Sequence, residues 1–130
     1  MNLFCLALFA SGLFAAEGGH LSVVDAAKSG NTVALRELIR NKADVNAPAP
    51  DGSTALQYAS YRDDLESADL LIRAGAKVNA ANDLGVTPLW PASENGSSKM
   101  VRRLLEAGAN PNSTTPNHAS RFCKMWFVVL

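Results

Sequence analysis

The sequence predicts an all-α fold, an α-solenoid of stacked helix-turn-helix repeats. Two observations support this prediction: an apolar helical stripe returns at a constant interval, and a glycine-led turn motif returns at the same interval. A unit of this kind cannot bury its own apolar face, so neighbouring units must stack to form one core. At 130 residues the chain holds one small domain.

The interval is 33 residues, and it is found in two series of segments that align without gaps. The first series is LIRNKADVNA from Leu38, LIRAGAKVNA from Leu71 and LLEAGANPNS from Leu104. The second is GSTALQYAS from Gly52 and GVTPLWPAS from Gly85. Because two independent motifs share one period, we predict three units within a repeat domain. The domain covers residues 17–112, with units at about 21–50, 51–83 and 84–112.

Each unit is predicted to begin with a short first helix. Thr54 and Thr87 are predicted N-caps, since a hydroxyl accepts hydrogen bonds from the free N–H groups of a helix start. Pro88 suits the first helical position, where its missing N–H has no effect. The expected first helices are therefore about Thr54–Tyr61 and Thr87–Glu94.

The second helix of each unit carries apolar residues at helical spacing, which predicts an inward-facing stripe. The predicted inward residues are Val33, Leu35, Leu38 and Ile39, then Leu65, Ala68, Leu71 and Ile72, then Met100, Val101, Leu104 and Leu105. Gly75 and Gly108 follow the second helices where left-handed C-terminal caps are expected. Gly96 is expected to end the first helix of the third unit.

The order of Gly-x-Thr-Pro-Leu, two short helices and Gly-Ala-x-x-Asn resembles the ankyrin repeat. Residues 84–112 match this pattern best, and residues 51–83 match nearly as well. The segment from about Leu21 to Asn46 lacks the opening motif, as a terminal unit is expected to. The resemblance implies extended turns that project at an angle from stacked helix pairs. It also implies protein recognition without catalysis or a cofactor.

Four positions depart from the family pattern. The family has a His after Thr-Pro-Leu that joins neighbouring loops by hydrogen bonding, and here that slot holds Gln57 and Trp90. We expect Gln57 to replace part of this role, and Trp90 to do so only through its indole N–H. Asp63 occupies the helix-linking Gly slot of the second unit. Pro91 lies one turn into its helix, where its ring restrains the backbone.

The resemblance places an unidentified protein partner on the concave side, which turn tips and first helices form. The candidate contacts are Pro50, Asp51, Ser53, Tyr61 and Arg62 in the second unit, and Asp83, Leu84, Val86, Glu94 and Asn95 in the third. Tyr61 and Arg62 lead this set, because Tyr and Arg are enriched among interface hot spots. The alternative for Tyr61 is that it packs on a neighbouring turn.

Residues 1–16, MNLFCLALFASGLFAA, differ in composition from the rest because they contain no charged side chain. Their apolar run has the length of a signal-peptide core and is short for a membrane span. Cleavage after Ala16 would export the protein to the periplasm or the medium. Without cleavage we expect a membrane-anchored or cytoplasmic protein, with this segment as a membrane-held or buried helix.

The last segment, residues 113–130, is expected to be an incomplete fourth repeat or an irregular apolar tail. It could cap the third unit, or the chain could be a truncated piece of a longer ankyrin array, membrane-associated or without independent function. A third alternative makes Trp126–Leu130 a docking patch. Membrane contact is expected only through this tail or through residues 1–16.

Composition and motifs argue against other functions. Twelve basic and twelve acidic residues balance, and Lys99, Arg102 and Arg103 are too few to form a nucleic-acid surface. His20 and His118 are isolated in the sequence, and neither has a Cys or a carboxylate residue at a spacing that suits a metal site. We therefore predict a protein that is not an enzyme, with no catalytic residue, metal, cofactor, nucleic acid or small-molecule substrate.

Overall fold

The computed structural model describes residues 21–113, which form six α-helices in three consecutive pairs and contain no β-strand. The helices are α1 Val23–Ser29, α2 Thr32–Arg40, α3 Ala55–Tyr61, α4 Leu65–Arg73, α5 Leu89–Glu94 and α6 Ser98–Glu106. The predicted all-α architecture is confirmed. The two predicted first helices begin one and two residues before α3 and α5 do.

The helix pairs stack through equivalent helices. The first helices form one layer, in which α3 contacts both α1 and α5. The second helices form the other layer, in which α4 contacts both α2 and α6. Among residues 21–113, the main contacts of each unit are therefore with its neighbours along the stack, as in a solenoid.

The core runs continuously between the two layers and repeats with the sequence period. Ala26, Ala59 and Ala92 occupy the same position of successive repeats and are completely buried, one in each first helix. Of the predicted inward residues, Leu35, Ala68, Leu71, Met100 and Leu104 are buried, and Leu38, Ile39, Leu65, Ile72, Val101 and Leu105 pack partly buried against them. The small alanines allow the first helices to approach closely.

The prediction for Val33 is wrong, because its side chain is 72% exposed. Val33 is the second residue of α2, and the equivalent positions one and two repeats later are Glu66 and Lys99. Both of these charged residues are exposed as well. The slot therefore faces solvent in every unit, and an apolar residue in one unit does not turn it inward.

The second helices begin with equivalent N-caps. Asn31, Asp64 and Ser97 are related by the repeat period, and the side chain of each accepts a backbone N–H of its own helix, at 3.0, 3.0 and 3.3 Å. Such caps satisfy amides that have no partner within the helix. The sequence interpretation did not assign these three residues, although their spacing matches the repeat.

Of the two predicted threonine caps, Thr54 is the N-cap of α3, while Thr87 is not the N-cap of α5. Thr54 forms a capping box with Gln57, in which the Thr54 amide donates to Gln57 Oε1 at 2.8 Å. At α5 the N-cap is Pro88, and Thr87 is buried with its hydroxyl 3.2 Å from Ser113 Oγ. Thr87 is therefore packed into the protein instead of being turned toward the free amides of α5.

Left-handed backbone ends the helices, as predicted for Gly75, Gly96 and Gly108, whose φ angles are 92°, 67° and 96°. Two residues that are not glycine adopt the same conformation in equivalent slots. Lys42 has φ 58° after α2, and Asp63 has φ 55° between α3 and α4. Since side chains disfavour this region, the stack imposes a conformation that these two residues do not prefer.

The terminal predictions concern residues outside the described range. The apolar segment 1–16 lies there, and so does the tail 113–130 apart from Ser113, so the predictions for both remain untested. Among residues 21–113, no helix has the length and apolar character needed to cross a bilayer.

Candidate protein-binding surface

The turn tips, residues 49–53 and 82–86, connect one unit to the next. A backbone hydrogen bond joins the first and last residues of each tip, at 2.8 Å in the first tip and 3.0 Å in the second. The fourth residue of each tip is a glycine with φ 75°, a conformation that glycine adopts without steric cost. The two tips are therefore equivalent, although their sequences differ.

Neighbouring tips contact each other directly. The Asp83 amide donates to the Asp51 carbonyl at 3.3 Å, and Asn82 Nδ2 donates to Ser53 Oγ at 3.3 Å. A Cβ added to Gly52 would lie only 2.6 Å from Asp83 Oδ1. Glycine is required here for close approach as well as for its φ angle, and the two tips form one continuous edge.

The Asp51 carboxylate is fixed within its own tip. Its Oδ1 accepts the Ser53 amide at 3.1 Å, and its Oδ2 accepts the Ser53 hydroxyl at 2.9 Å. These two bonds lower the pKa of Asp51, because they favour the ionised carboxylate. Asp51 therefore presents a fixed negative charge at the exposed edge of the tip.

Two of the predicted contact residues hold the tips together. Ser53 is only 7% exposed and bonds to Asp51, so it has a role inside the tip, and its contact with a partner stays a prediction. Val86 is half-buried, and its amide donates to Asn82 Oδ1 at 2.9 Å. The other predicted contacts are exposed: Pro50, Asp51, Tyr61, Arg62, Asp83, Leu84, Glu94 and Asn95.

Arg62 and Asn95 occupy equivalent positions at the ends of α3 and α5, and both side chains reach the preceding unit. Arg62 Nη1 donates to the Lys28 carbonyl at 3.4 Å. Asn95 Nδ2 donates to the carbonyls of Ser60 and Tyr61 at 3.0 and 2.9 Å. These two predicted contact residues therefore also join neighbouring units.

The predicted loop-joining role of Gln57 is confirmed. Its Nε2 donates to the Val86 carbonyl and, at 3.2 Å, to the Ala80 carbonyl of the following turn. Its Oε1 accepts the Thr54 amide, so both the oxygen and the nitrogen of this buried side-chain amide are hydrogen-bonded. Trp90, in the equivalent slot, is half-buried, and its predicted indole bond remains a prediction.

Two asparagines perform a joining role that the sequence interpretation missed. Asn46 accepts the Lys77 amide at 2.7 Å and donates to the Gly75 carbonyl at 3.2 Å. Asn79 makes the same two bonds to the third unit, at 2.6 and 3.0 Å. The recurrence of Asn at the repeat period was the available signal.

The exposed side of α3 combines aromatic and charged groups. Tyr58, Tyr61 and Arg62 are at i, i+3 and i+4, which places them on one side of the helix. Lys28 of the first unit lies over the Tyr58 ring, with Nζ 5.6 Å from the ring centroid. The Tyr58 hydroxyl is 3.5 Å from Asp51 Oδ2, so this group extends to the turn tip.

A comparison with known sequence families identifies the family of this chain. A sequence model described as ankyrin repeats in three copies matches residues 13–115. The chain belongs to the ankyrin-repeat family. No curated protein matches it. Ankyrin repeats generally act as protein-interaction modules, and the family is typically a non-catalytic scaffold.

Lys99, Arg102 and Arg103 form a small basic spot on the second-helix layer, apart from the tips. Together with Leu65 they line a groove of about 350 Å³. Arg103 pairs with Asp69, which offsets one of the three charges. Among residues 21–113, no cluster of three or more His, Cys, Asp or Glu residues is arranged to hold a metal ion.

Proposed function

We propose that this ankyrin-repeat protein binds a protein partner through the exposed residues of its turn tips and first helices, which we call the recognition surface. The observation that supports the proposal is the exposure of large side chains there. Tyr61 is 54% exposed at the end of α3, and Leu84 is 76% exposed on the second tip. Exposed aromatic and aliphatic groups beside charged residues are typical of interface anchors.

Binding on this surface is a matter of presenting side chains in fixed positions. Gln57, Asn46 and Asn79 join each unit to the next by hydrogen bonds, and the two tips contact each other. A surface that is already ordered loses little conformational entropy when a partner binds, so more of the contact energy appears as affinity. The proposed mechanism involves no bond making and no cofactor.

The test compares exposed apolar positions on the two layers of the stack. Leu84→Ala with Tyr61→Ala removes the two anchors of the recognition surface, while Val33→Ala shortens an exposed side chain on the second-helix layer. Partners captured from the source cell by the wild-type chain are quantified by mass spectrometry. We expect the double variant to lose a specific partner by about tenfold or more, the effect of about 1.4 kcal/mol.

The control defines the result that rejects the proposal. Capture that survives the double variant, or that falls equally with Val33→Ala, places binding elsewhere. Circular dichroism must show the same helical content in all three proteins. Tyr61 and Leu84 are suitable because both are exposed, so truncation leaves no cavity in the core.

We also propose that residues 1–16 direct export and are removed. The proposal is supported by the absence of charge in this segment and by the small residues Ala15 and Ala16 at its end. Mass spectrometry of the protein from its source cell is expected to find a chain that begins at Glu17. An intact chain from Met1 in the cytoplasmic fraction rejects this proposal.

A further inference from the structure

We propose that Lys28 and Arg62 form an anion-binding corner of the recognition surface, which receives one acidic side chain of the partner while an adjacent apolar side chain packs on Tyr61. This inference rests on the proposed function and specifies the chemistry of the partner. The partner segment carries an Asp or Glu directly beside an apolar residue. Lys28 and Arg62 are called the cationic corner below.

The arginine of the cationic corner is held in place before any partner binds. A Cβ on Gly30 would lie 2.7 Å from Arg62 Nη2, 2.9 Å from Nε and 3.0 Å from Cζ, so the guanidinium rests directly on the Gly30 backbone. Arg62 Nη1 also donates to the Lys28 carbonyl. A guanidinium that is already oriented forms carboxylate bonds at a lower entropic cost than a mobile one.

The two positive charges have no carboxylate partner among the described residues. Within residues 21–113 the ion pairs involve Arg36, Arg40 and Arg103, and neither residue of the cationic corner. Arg62 has five N–H donors, and within that range its described hydrogen bond is a single one of 3.4 Å. Donors therefore remain for an incoming carboxylate, which guanidinium binds more strongly than it binds neutral acceptors.

The nearest acidic residue on the same helix is already engaged. Asp25 lies one turn before Lys28, and its carboxylate accepts the Ser22 hydroxyl at 2.8 Å and the Ser22 amide at 3.3 Å. These bonds, with a small contribution from the charge of Lys28, lower the pKa of Asp25. Asp25 therefore completes the helix cap, and an outside carboxylate can still bind at the cationic corner.

The surroundings limit the ligand to a single acidic group. Tyr61 offers an exposed ring next to Arg62, which favours an apolar neighbour of the bound acid. On the tip side, the Tyr58 hydroxyl approaches the ionised Asp51 carboxylate, which repels a second acidic residue. A run of acidic residues or a nucleic-acid backbone therefore fits poorly, while an isolated acidic residue beside an apolar one fits well.

The first experiment uses two matched probes, N-acetyl-Phe-Glu-amide and N-acetyl-Phe-Gln-amide, titrated into the full chain and followed by NMR. With the Glu probe we expect saturable shifts at the Arg62 Nε–H and the Tyr61 ring, and at least about tenfold weaker binding of the Gln probe. Arg73, an exposed arginine at the end of α4, reports non-specific attraction of anions. Equal binding of both probes, or equal shifts at Arg73 and Arg62, overturns the proposal.

The second experiment separates charge from shape. Lys28→Met removes one charge at similar chain length, and Arg62→Lys keeps the charge but removes the planar fork. We expect each to weaken the Glu probe by about fivefold or more, and Arg73→Lys to leave it unchanged. If Tyr61→Ala with Leu84→Ala loses the captured partner while the two probes bind equally, the proposed function stands and the cationic corner is rejected. If the double variant captures the partner as well as the wild type does while the Glu probe is preferred, the proposed function is rejected. The cationic corner then binds a carboxylate but does not serve recognition of that partner.

Discussion

Gln57 of the second repeat donates a hydrogen bond to the backbone carbonyl of Val86 in the third, from a side chain that is almost completely buried. The same amide group accepts the Thr54 N–H at the start of its own helix. One side chain therefore fixes both a helix start and the position of the next turn tip. Contacts of this kind between units determine both the stability of the stack and the shape of its surface.

Gln57→Leu is expected to destabilise the protein by about 1–3 kcal/mol, because it leaves buried backbone groups without hydrogen-bond partners. Urea unfolding followed by circular dichroism measures the loss. Gln57→His restores the usual residue of the family and is expected to recover part of the stability. A Leu variant as stable as the wild type contradicts the role assigned to this side chain.

Asp63→Gly is expected to stabilise the protein by about 0.5–1 kcal/mol, because glycine adopts the φ angle of 55° without the cost that a side chain incurs. Gly30 and Gly96 already occupy the equivalent slots. Asp63→Ala keeps a side chain at this φ angle, and Ala tolerates left-handed backbone less well than Asp does. We therefore expect Asp63→Ala to destabilise the protein. Thermal melts of the two variants test the difference, and shifts of the same sign contradict it.

Gly52→Ala is expected to destabilise more than Gly96→Ala. Both glycines have similar φ angles, 75° and 67°, so the backbone cost of a side chain is matched, at about 1–2 kcal/mol. A Cβ at Gly52 also meets Asp83, while at Gly96 nothing lies within 4 Å. The difference between the two unfolding free energies measures the close contact of the tips. Equal losses show that this contact is loose in solution.

Acid is expected to weaken the first turn tip through Asp51. Hydrogen bonds hold its folded-state pKa below the ordinary value of 3.8, so as the pH falls the unfolded chain takes up the proton first. This contribution to stability is complete above pH about 5 and is lost as the pH falls through the folded-state pKa. Asp51→Asn should therefore flatten the acid side of a plot of urea midpoint against pH. An unchanged slope contradicts the assignment.

The sequence was sufficient for the repeats because a constant period in the apolar pattern encodes stacking directly. It failed at Val33, where apolarity suggested an inward residue; comparison with Glu66 and Lys99 in the same slot would have corrected it. It also failed at Thr87, because a propensity for capping takes no account of burial in the finished stack. Local patterns predict elements well and predict the contacts between them poorly.

The candidate surface was predicted less completely for a related reason. Arg62 was selected for its residue type, but its position depends on Gly30, which belongs to the preceding unit. Lys28 and Tyr58 were missed, since they meet only after two units have stacked. Ser53 was included by its position in the repeat, and only the folded tip shows that it is buried.

The hydrogen bonds between units run in both directions. Asn46 and Asn79 reach forward to the next unit, and Arg62 and Asn95 reach back to the previous one. Each junction is thus fastened at two separate places, which opposes rotation of one unit about a single line of contact. We therefore expect a twisting force on one unit to be shared between two attachment points at each junction.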